Sequence, residues 1–145
     1  MSVLARDRRL SKLESYKNAS DLVVHTFRYA DFKHFSKSDK DIVWKLRELA
    51  MEVLTNTIKG LDTYPNCEMA VELRKEFFLR ALASNNALDG LLSTLLACIF
   101  VKDAKVILVK GISDYGWLQW GELNAQQNKL LKGLLEADKK LTFNS

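Results

Sequence analysis

Any metal chemistry in this chain would have to begin at Asp21 and His25, which stand one helical turn apart in a sequence with two histidines. A metal site inside a helical bundle needs several further inward carboxylates or a Glu-x-x-His pair, and neither is present. A surface ion pair between Asp21 and His25 is the plainer expectation. Cys67 and Cys98 show no CxxC or Cys/His spacing. Zinc and a disulfide framework are both unsupported, and two buried free thiols in a reducing cytoplasm are expected. Gly111 to Gly116 is spaced loosely like part of a phosphate loop but lacks the Gly-Lys-Ser/Thr ending, and neither G-x-S-x-G nor G-x-G-x-x-G occurs. No catalytic residue, metal ligand or cofactor is assigned, and the chain reads as a non-enzyme.

The cations are the better lead. The 145 residues carry 22 Lys/Arg against 18 Asp/Glu, a formal charge of +4. Residues 1–60 hold twelve basic and eight acidic side chains, and the remainder holds ten of each, so the whole excess lies in the first part. Arg6, Arg8, Arg9, Lys12 and Lys17 cluster at the start, Lys33, Lys37 and Lys40 crowd the first turn, and Lys45 and Arg47 follow. Flexible cations near exposed aromatics suit a phosphate backbone with little reading of base sequence. These ten residues are therefore the candidate nucleic-acid contacts. A solvated polar face accounts for them equally well.

Helices must position them. With one proline and six glycines the chain lacks the turn signals of an all-β protein, and 48% hydrophobic residues suffice for one core. An apolar stripe from Leu10 to Ala30 places Leu13, Tyr16, Val23, Phe27 and Ala30 inward with Ser20 in the remaining slot. Ser38 with Asp41 resembles the cap of the next helix. There Ile42, Leu46, Leu49, Val53, Thr57 and Leu61 form the inner row, ended by Gly60 and the turn around Pro65. A third stripe runs through Ala70, Leu73, Phe77, Ser84, Leu88, Leu91, Leu95 and Cys98. It includes Arg80, whose head should reach the edge or pair with Glu76. Lys102 to Ile112 reads as a packed loop or irregular helix extension, because the β-branched run Val106 to Val109 has no partner strand. Ser113 caps a fourth helix from Asp114 to Lys140, with Trp120, Leu123, Leu130, Leu134 and Ala137 inward. Gly116, Gly121 and Gly133 weaken that helix by roughly 1 kcal/mol each unless another backbone approaches there.

Four such segments with short connections predict an all-α, antiparallel four-helix bundle in a single domain over residues 1–145, with 1–9 as a flexible basic N-terminus. The start MSVLARDRRL has no apolar run of signal-peptide length, and the longest apolar stretch, Leu91 to Val101, is about half a membrane span. A cytoplasmic protein with no membrane partner is expected. Trp117, Trp120, Phe78 and Phe100 exceed what a slim monomer easily hides, which favours an oligomer.

The order of features resembles a known family. Leu10-Ser11-Lys12-Leu13-Glu14-Ser15-Tyr16-Lys17-Asn18-Ala19, Leu22-Val23-Val24 and Phe35-Ser36-Lys37 are similar to the opening of a four-helix-bundle family with two kinds of member. One is encoded by intervening sequences within bacterial 23S ribosomal RNA genes. The other is the accessory variability determinant (Avd) of diversity-generating retroelements. Leu46-Arg47-Glu48-Leu49-Ala50 and Thr55-Asn56-Thr57-Ile58-Lys59-Gly60 resemble its second helix, Phe77-Phe78-Leu79-Arg80-Ala81-Leu82 its third, and Ile112-Ser113 with Leu130-Leu131-Lys132-Gly133-Leu134-Leu135 its last. The likeness spans about residues 10 to 137 in soft motifs, small and apolar positions rather than catalytic signatures. The intervening-sequence type favours Asn-Ile-Ala-Glu-Gly where this chain has Asn56-Thr57-Ile58-Lys59-Gly60, and carries a Phe-Pro turn that is missing here. Both departures, with the basic N-terminal excess, favour the Avd branch.

The resemblance implies a non-catalytic, basic homopentameric barrel. It would bind a reverse transcriptase and the template-repeat RNA, or an RNA/DNA hybrid, and support mutagenic complementary DNA synthesis and retrohoming. The alternatives are an intervening-sequence bundle or a protein-binding adaptor whose cations are surface charge.

Overall fold

A computed structural model describes residues 3–100 and 109–143, with side chains described for 13–99 and 109–143. Four helices, α1 (Val3–Tyr29), α2 (Lys40–Asp62), α3 (Glu68–Phe100) and α4 (Asp114–Lys139), are joined by connections that include a 3-10 turn at Lys37–Asp39. Each packs on its neighbours in sequence, and α4 returns against α1, so the four enclose one interior as a four-helix bundle. The described residues contain no strand.

The helix ends follow from local chemistry. Ser113 Oγ accepts the Gly116 amide at 3.1 Å, the cap expected for α4. α2 differs: its N-cap is Asp39, without a side-chain cap bond, and Ser36 caps the preceding 3-10 turn by accepting the Ser38 amide. α2 ends at Asp62, where the Thr63 amide returns to the Gly60 carbonyl, and the chain turns through Pro65 to α3. α1 begins at Val3, earlier than the stripe from Leu10 implies, so the backbone of 3–9 is helical. Of the Lys102–Ile112 segment, 102–108 lies outside the described residues. Val109 pairs with Phe35 in an isolated bridge, and the Lys110 amide donates to the His34 carbonyl at 2.9 Å, pinning the approach to α4 against the α1–α2 connection.

The interior corrects several expected rows. α2 is as anticipated, burying Leu46, Leu49, Ala50, Val53, Thr57 and Leu61, with Val43 taking the inner place expected of Ile42. On α1 the inner row is Ser15, Ala19, Leu22, His25, Thr26 and Ala30, whereas Leu13, Tyr16 and Phe27 face solvent. On α3 the row is Arg74, Phe78, Ala81, Asn85, Leu88, Leu92 and Leu95, shifted by one from Leu73, Phe77 and Ser84. On α4 Leu131 and Asp138 replace Leu130 and Ala137. In each case a polar side chain with a partner inside the bundle displaces the apolar row from the interior. Phe78 and Trp120 are wholly buried within one chain, and Trp117 is half-buried, stacked on Trp120 at 5.6 Å between ring centroids. They therefore give no argument for an oligomer, and the Phe100 side chain lies outside the described residues. Both thiols are also more open than expected, Cys67 exposed and Cys98 half-buried.

Two apolar clusters fill the interior, one centred on Leu22, Leu46, Leu88 and Trp120, the other on Leu61, Phe78, Leu82 and Leu131. Hydrogen-bonded amides lie among them. Asn18 Nδ2 donates to the Leu123 carbonyl (2.9 Å) and Gln127 Oε1 (3.0 Å), and Gln127 Nε2 reaches Thr57 Oγ1 (3.3 Å). Asn85 and Asn124 bond each other across α3 and α4. Gly60 lets the Phe78 ring lie against α2: a Cβ there would fall 2.6 Å from Phe78 Cδ1. Gly116 similarly admits Tyr29, at 3.2 Å, but Gly121 and Gly133 meet nothing within 4 Å. By length and composition alone, α3 over Glu68–Ile99 is apolar enough to cross a membrane; here it packs against α2 and α4.

Candidate nucleic-acid interface

The ten candidate cations do not form one cluster. Arg6, Arg8, Arg9 and Lys12 occupy the first turns of α1, with side chains outside the described residues. Lys17 is exposed further along the same helix. Lys33, Lys37, Lys40, Lys45 and Arg47 lie at the opposite end of α1, around its connection to α2. From Lys12 to Tyr29 is about 25 Å at 1.5 Å per residue. Two basic regions therefore sit at the two ends of one helix.

The connection-side group is the better defined. Lys33, Lys37 and Lys40 are exposed, and none makes an ion pair among the described residues. Lys45 lies 3.7 Å from Glu48 across one turn, an exposed pair worth little. Arg47 has a different part. Its Nε donates to the Ala30 carbonyl at 2.7 Å, satisfying a backbone oxygen just past the end of α1. Its guanidinium lies 4.7 Å from the Phe27 ring centroid and 5.5 Å from that of Trp44. Arg47 is thus anchored, while the three lysines are exposed. Exposed aromatics accompany them: Phe27, Phe32 and Trp44, the last with 55% of its surface accessible.

The connection itself is held by Asp31 and His34. His34 Nδ1 donates to Asp31 Oδ1 at 2.7 Å, and the Lys33 and His34 amides donate to the same oxygen. Burial would raise the Asp31 pKa, but the His34 hydrogen bond and charge, with these amides, hold it below the usual carboxylate value. Beside it, His25 is buried, not in a surface pair with Asp21 as expected. Its Nε2–H donates to the Gly116 carbonyl at 2.8 Å, and its ring packs against Tyr29 and Trp120. Burial lowers its pKa, opposed by the Gly116 carbonyl and assisted by the Arg28 charge, so it is neutral at pH 7. A neutral histidine donating to a backbone carbonyl is a strut between α1 and α4.

Sequence reasoning missed two features. Trp44 falls off the α2 inner row, so its exposure is legible from spacing alone. The Arg74–Asp138 pair has no such signal, because its partners are 64 residues apart. Among the described residues no three His, Cys, Asp or Glu side chains gather where a metal could bind. A cavity of about 540 Å³ opens between the start of α3 and the end of α4, lined by Glu68, Glu72, Lys75, Leu135 and Asp138 among others. Its one buried acid, Asp138, is already engaged by Arg74. No family model matches the chain, and no curated protein or solved structure matches it either.

Proposed function

We propose that this protein is a non-catalytic accessory bundle that self-associates and binds RNA, in the manner of the Avd branch of retroelement proteins. The reading is carried by Lys33, Lys37 and Lys40, which have no ion-pair partner among the described residues, beside exposed aromatics at the α1–α2 connection. Cations without acid partners keep their full charge for phosphates, and each phosphate engaged releases bound counterions. On this reading the partners are a reverse transcriptase and its template-repeat RNA or RNA/DNA hybrid, in the cytoplasm.

The bundle is antiparallel and assembles as a pentameric barrel. The long-range bonds support the first point. Asn18 meets Leu123 and Gln127 while His25 meets Gly116, so α4 numbers fall as α1 numbers rise. The outer face of α1 supports the second. Leu13, Tyr16 and Val24 are exposed there, with Met51 on the neighbouring helix. Five copies would multiply +4 to about +20, a field able to hold RNA with marked salt dependence. The same apolar face also favours a second reading, a protein-binding adaptor that needs no nucleic acid.

The test is fluorescence anisotropy with a labelled single-stranded RNA between 50 and 200 mM salt. Binding should weaken steeply with salt, and replacing Lys33, Lys37 and Lys40 with Gln should reduce the log–log slope by about 2, roughly 0.7 per phosphate contact. Absence of binding at 50 mM salt would sink the RNA part and leave the adaptor.

A further inference from the structure

We propose that Trp44, backed by Arg47 and Phe27, is a stacking shelf for an unpaired base, which makes single-stranded nucleic acid the preferred ligand of the α1–α2 connection. The proposal rests on the nucleic-acid reading above and sharpens it. Three planar groups meet between α1 and α2, with the Arg47 guanidinium over both the Phe27 ring and the Trp44 indole. The guanidinium is fixed, because Arg47 Nε is bonded to the Ala30 carbonyl. A guanidinium held in this way limits the freedom of the rings beside it, so an incoming base meets a surface already ordered. Trp44 keeps more than half its area open, whereas Trp117 is half-buried and Trp120 wholly buried.

The surroundings select the ligand. Lys40 stands one turn before Trp44, Lys45 follows it, and Lys37 and Lys33 lie in the segment leading into α2. Lysine is depleted at protein–protein interfaces, because its strongly hydrated charge resists burial. Lysines around an open indole fit a phosphate chain whose bases are free to stack. A duplex satisfies the charges but not the ring, since its bases already stack on one another. Phe32, exposed in the same connection, offers a second apolar surface to the strand.

The full-length protein should be titrated with a labelled twelve-nucleotide single strand and with the duplex of the same sequence, at 50 mM salt. Trp44→Leu should weaken single-strand binding roughly five- to a hundredfold, the loss carried by one base–aromatic stack, and leave duplex binding unchanged. Trp44→Phe should retain most of the affinity. The triple Gln variant of Lys33, Lys37 and Lys40 should weaken both ligands. Far-ultraviolet circular dichroism checks that each variant is folded. An unchanged single-strand affinity in Trp44→Leu, with a loss in the lysine variant, overturns the shelf and leaves RNA binding standing. No binding of either ligand by the parent protein overturns both. A fall in oligomer mass in Trp44→Leu, with affinity unchanged, assigns the indole to self-contact and overturns the shelf alone.

Discussion

Removing the Asp138 carboxylate leaves a charge inside the bundle with nowhere to go. Arg74 Nε donates to Asp138 Oδ2 at 2.7 Å, with both side chains 6% exposed. Breaking a buried ion pair by deleting one partner costs about 3–5 kcal/mol, mostly the penalty of the orphaned charge. Three features put Asp138→Ala at the lower end. Arg74 Nη1 keeps the Gly60 and Thr63 carbonyls, each at 3.3 Å, and its guanidinium stays 4.9 Å from the Phe78 centroid. Asp138 also lines the cavity between α3 and α4, which lets water approach the gap. The expected loss is therefore about 3 kcal/mol, a large part of the ~5–15 kcal/mol that holds a domain folded, and about 10 °C in melting temperature. Urea unfolding followed by circular dichroism, at one protein concentration because association adds stability, would measure it. Arg74→Met with Asp138→Leu should restore most of the loss, since an apolar pair needs no desolvated charge. The exposed Glu76–Arg80 pair is the control: Glu76→Ala should cost about 0.5 kcal/mol or less. A loss below 1 kcal/mol for Asp138→Ala would refute the reasoning, because Arg74 would then be as well solvated as Arg80.

Glycine substitutions should divide by what the new methyl meets. Gly60→Ala drives a Cβ into the Phe78 ring and should destabilise by about 1–3 kcal/mol, whereas Gly121→Ala and Gly133→Ala, in open space, should each stabilise by about 0.8–1 kcal/mol in the same unfolding assay. Acid should weaken the bundle through His25. Its folded pKa is below 6.5, so the unfolded chain binds more protons, and stability present above pH 6.5 is lost as pH falls toward the folded value. His25→Gln, which can still donate to Gly116, should flatten the part of the thermal-midpoint profile that falls below pH 6.5; an unaltered slope would exclude His25 as its source. Asp31 acts in a separate window, its contribution present above pH 3.8 and lost as pH falls through its lower folded pKa. Leu13→Glu with Tyr16→Glu should convert an assembly of about five chains to single chains of unchanged helicity, as read by light scattering; an unchanged mass would remove the α1 face from the interface.

What the sequence discloses here is decided by where apolar residues are informative. The α2 row was legible because its interior is Leu, Val and Ala, and Pro65 and Ser113 mark ends by geometry that no tertiary contact can override. On α1 the same rule misleads. Ser15, Ala19 and Thr26 are interior, and Thr26 earns its place through Trp120 Nε1, 94 residues away. The α3 row slipped by one at Leu73 for the same kind of reason, since Arg74 is buried only because Asp138 meets it. Among the candidate contacts, Lys17, Lys33, Lys37, Lys40 and Lys45 are exposed, as charged side chains outside the apolar rows are expected to be. The anchoring of Arg47 did not, because its acceptor is a backbone carbonyl on another element.

The inversion of α1 also bears on the proposed self-association. Between Leu13 and Tyr29, Leu22 is the only large aliphatic side chain wholly buried. The helix is held instead by directed bonds: Asn18 to Leu123 and Gln127, His25 to Gly116, Trp120 to Thr26, and Arg47 to Ala30. At a net of about 0.5–1.5 kcal/mol each, such bonds stabilise only modestly, but they fix register. A shift of one residue turns the helix by about 100° and breaks all of them at once. Leu13, Tyr16 and Val24, on the outer face of the same helix, are exposed. Covering them returns about 25 cal/mol for each Å² removed from solvent, with no change to the interior. Polar contacts thus specify how α1 sits in the single chain, and its exposed apolar face is the one the proposed self-association would cover.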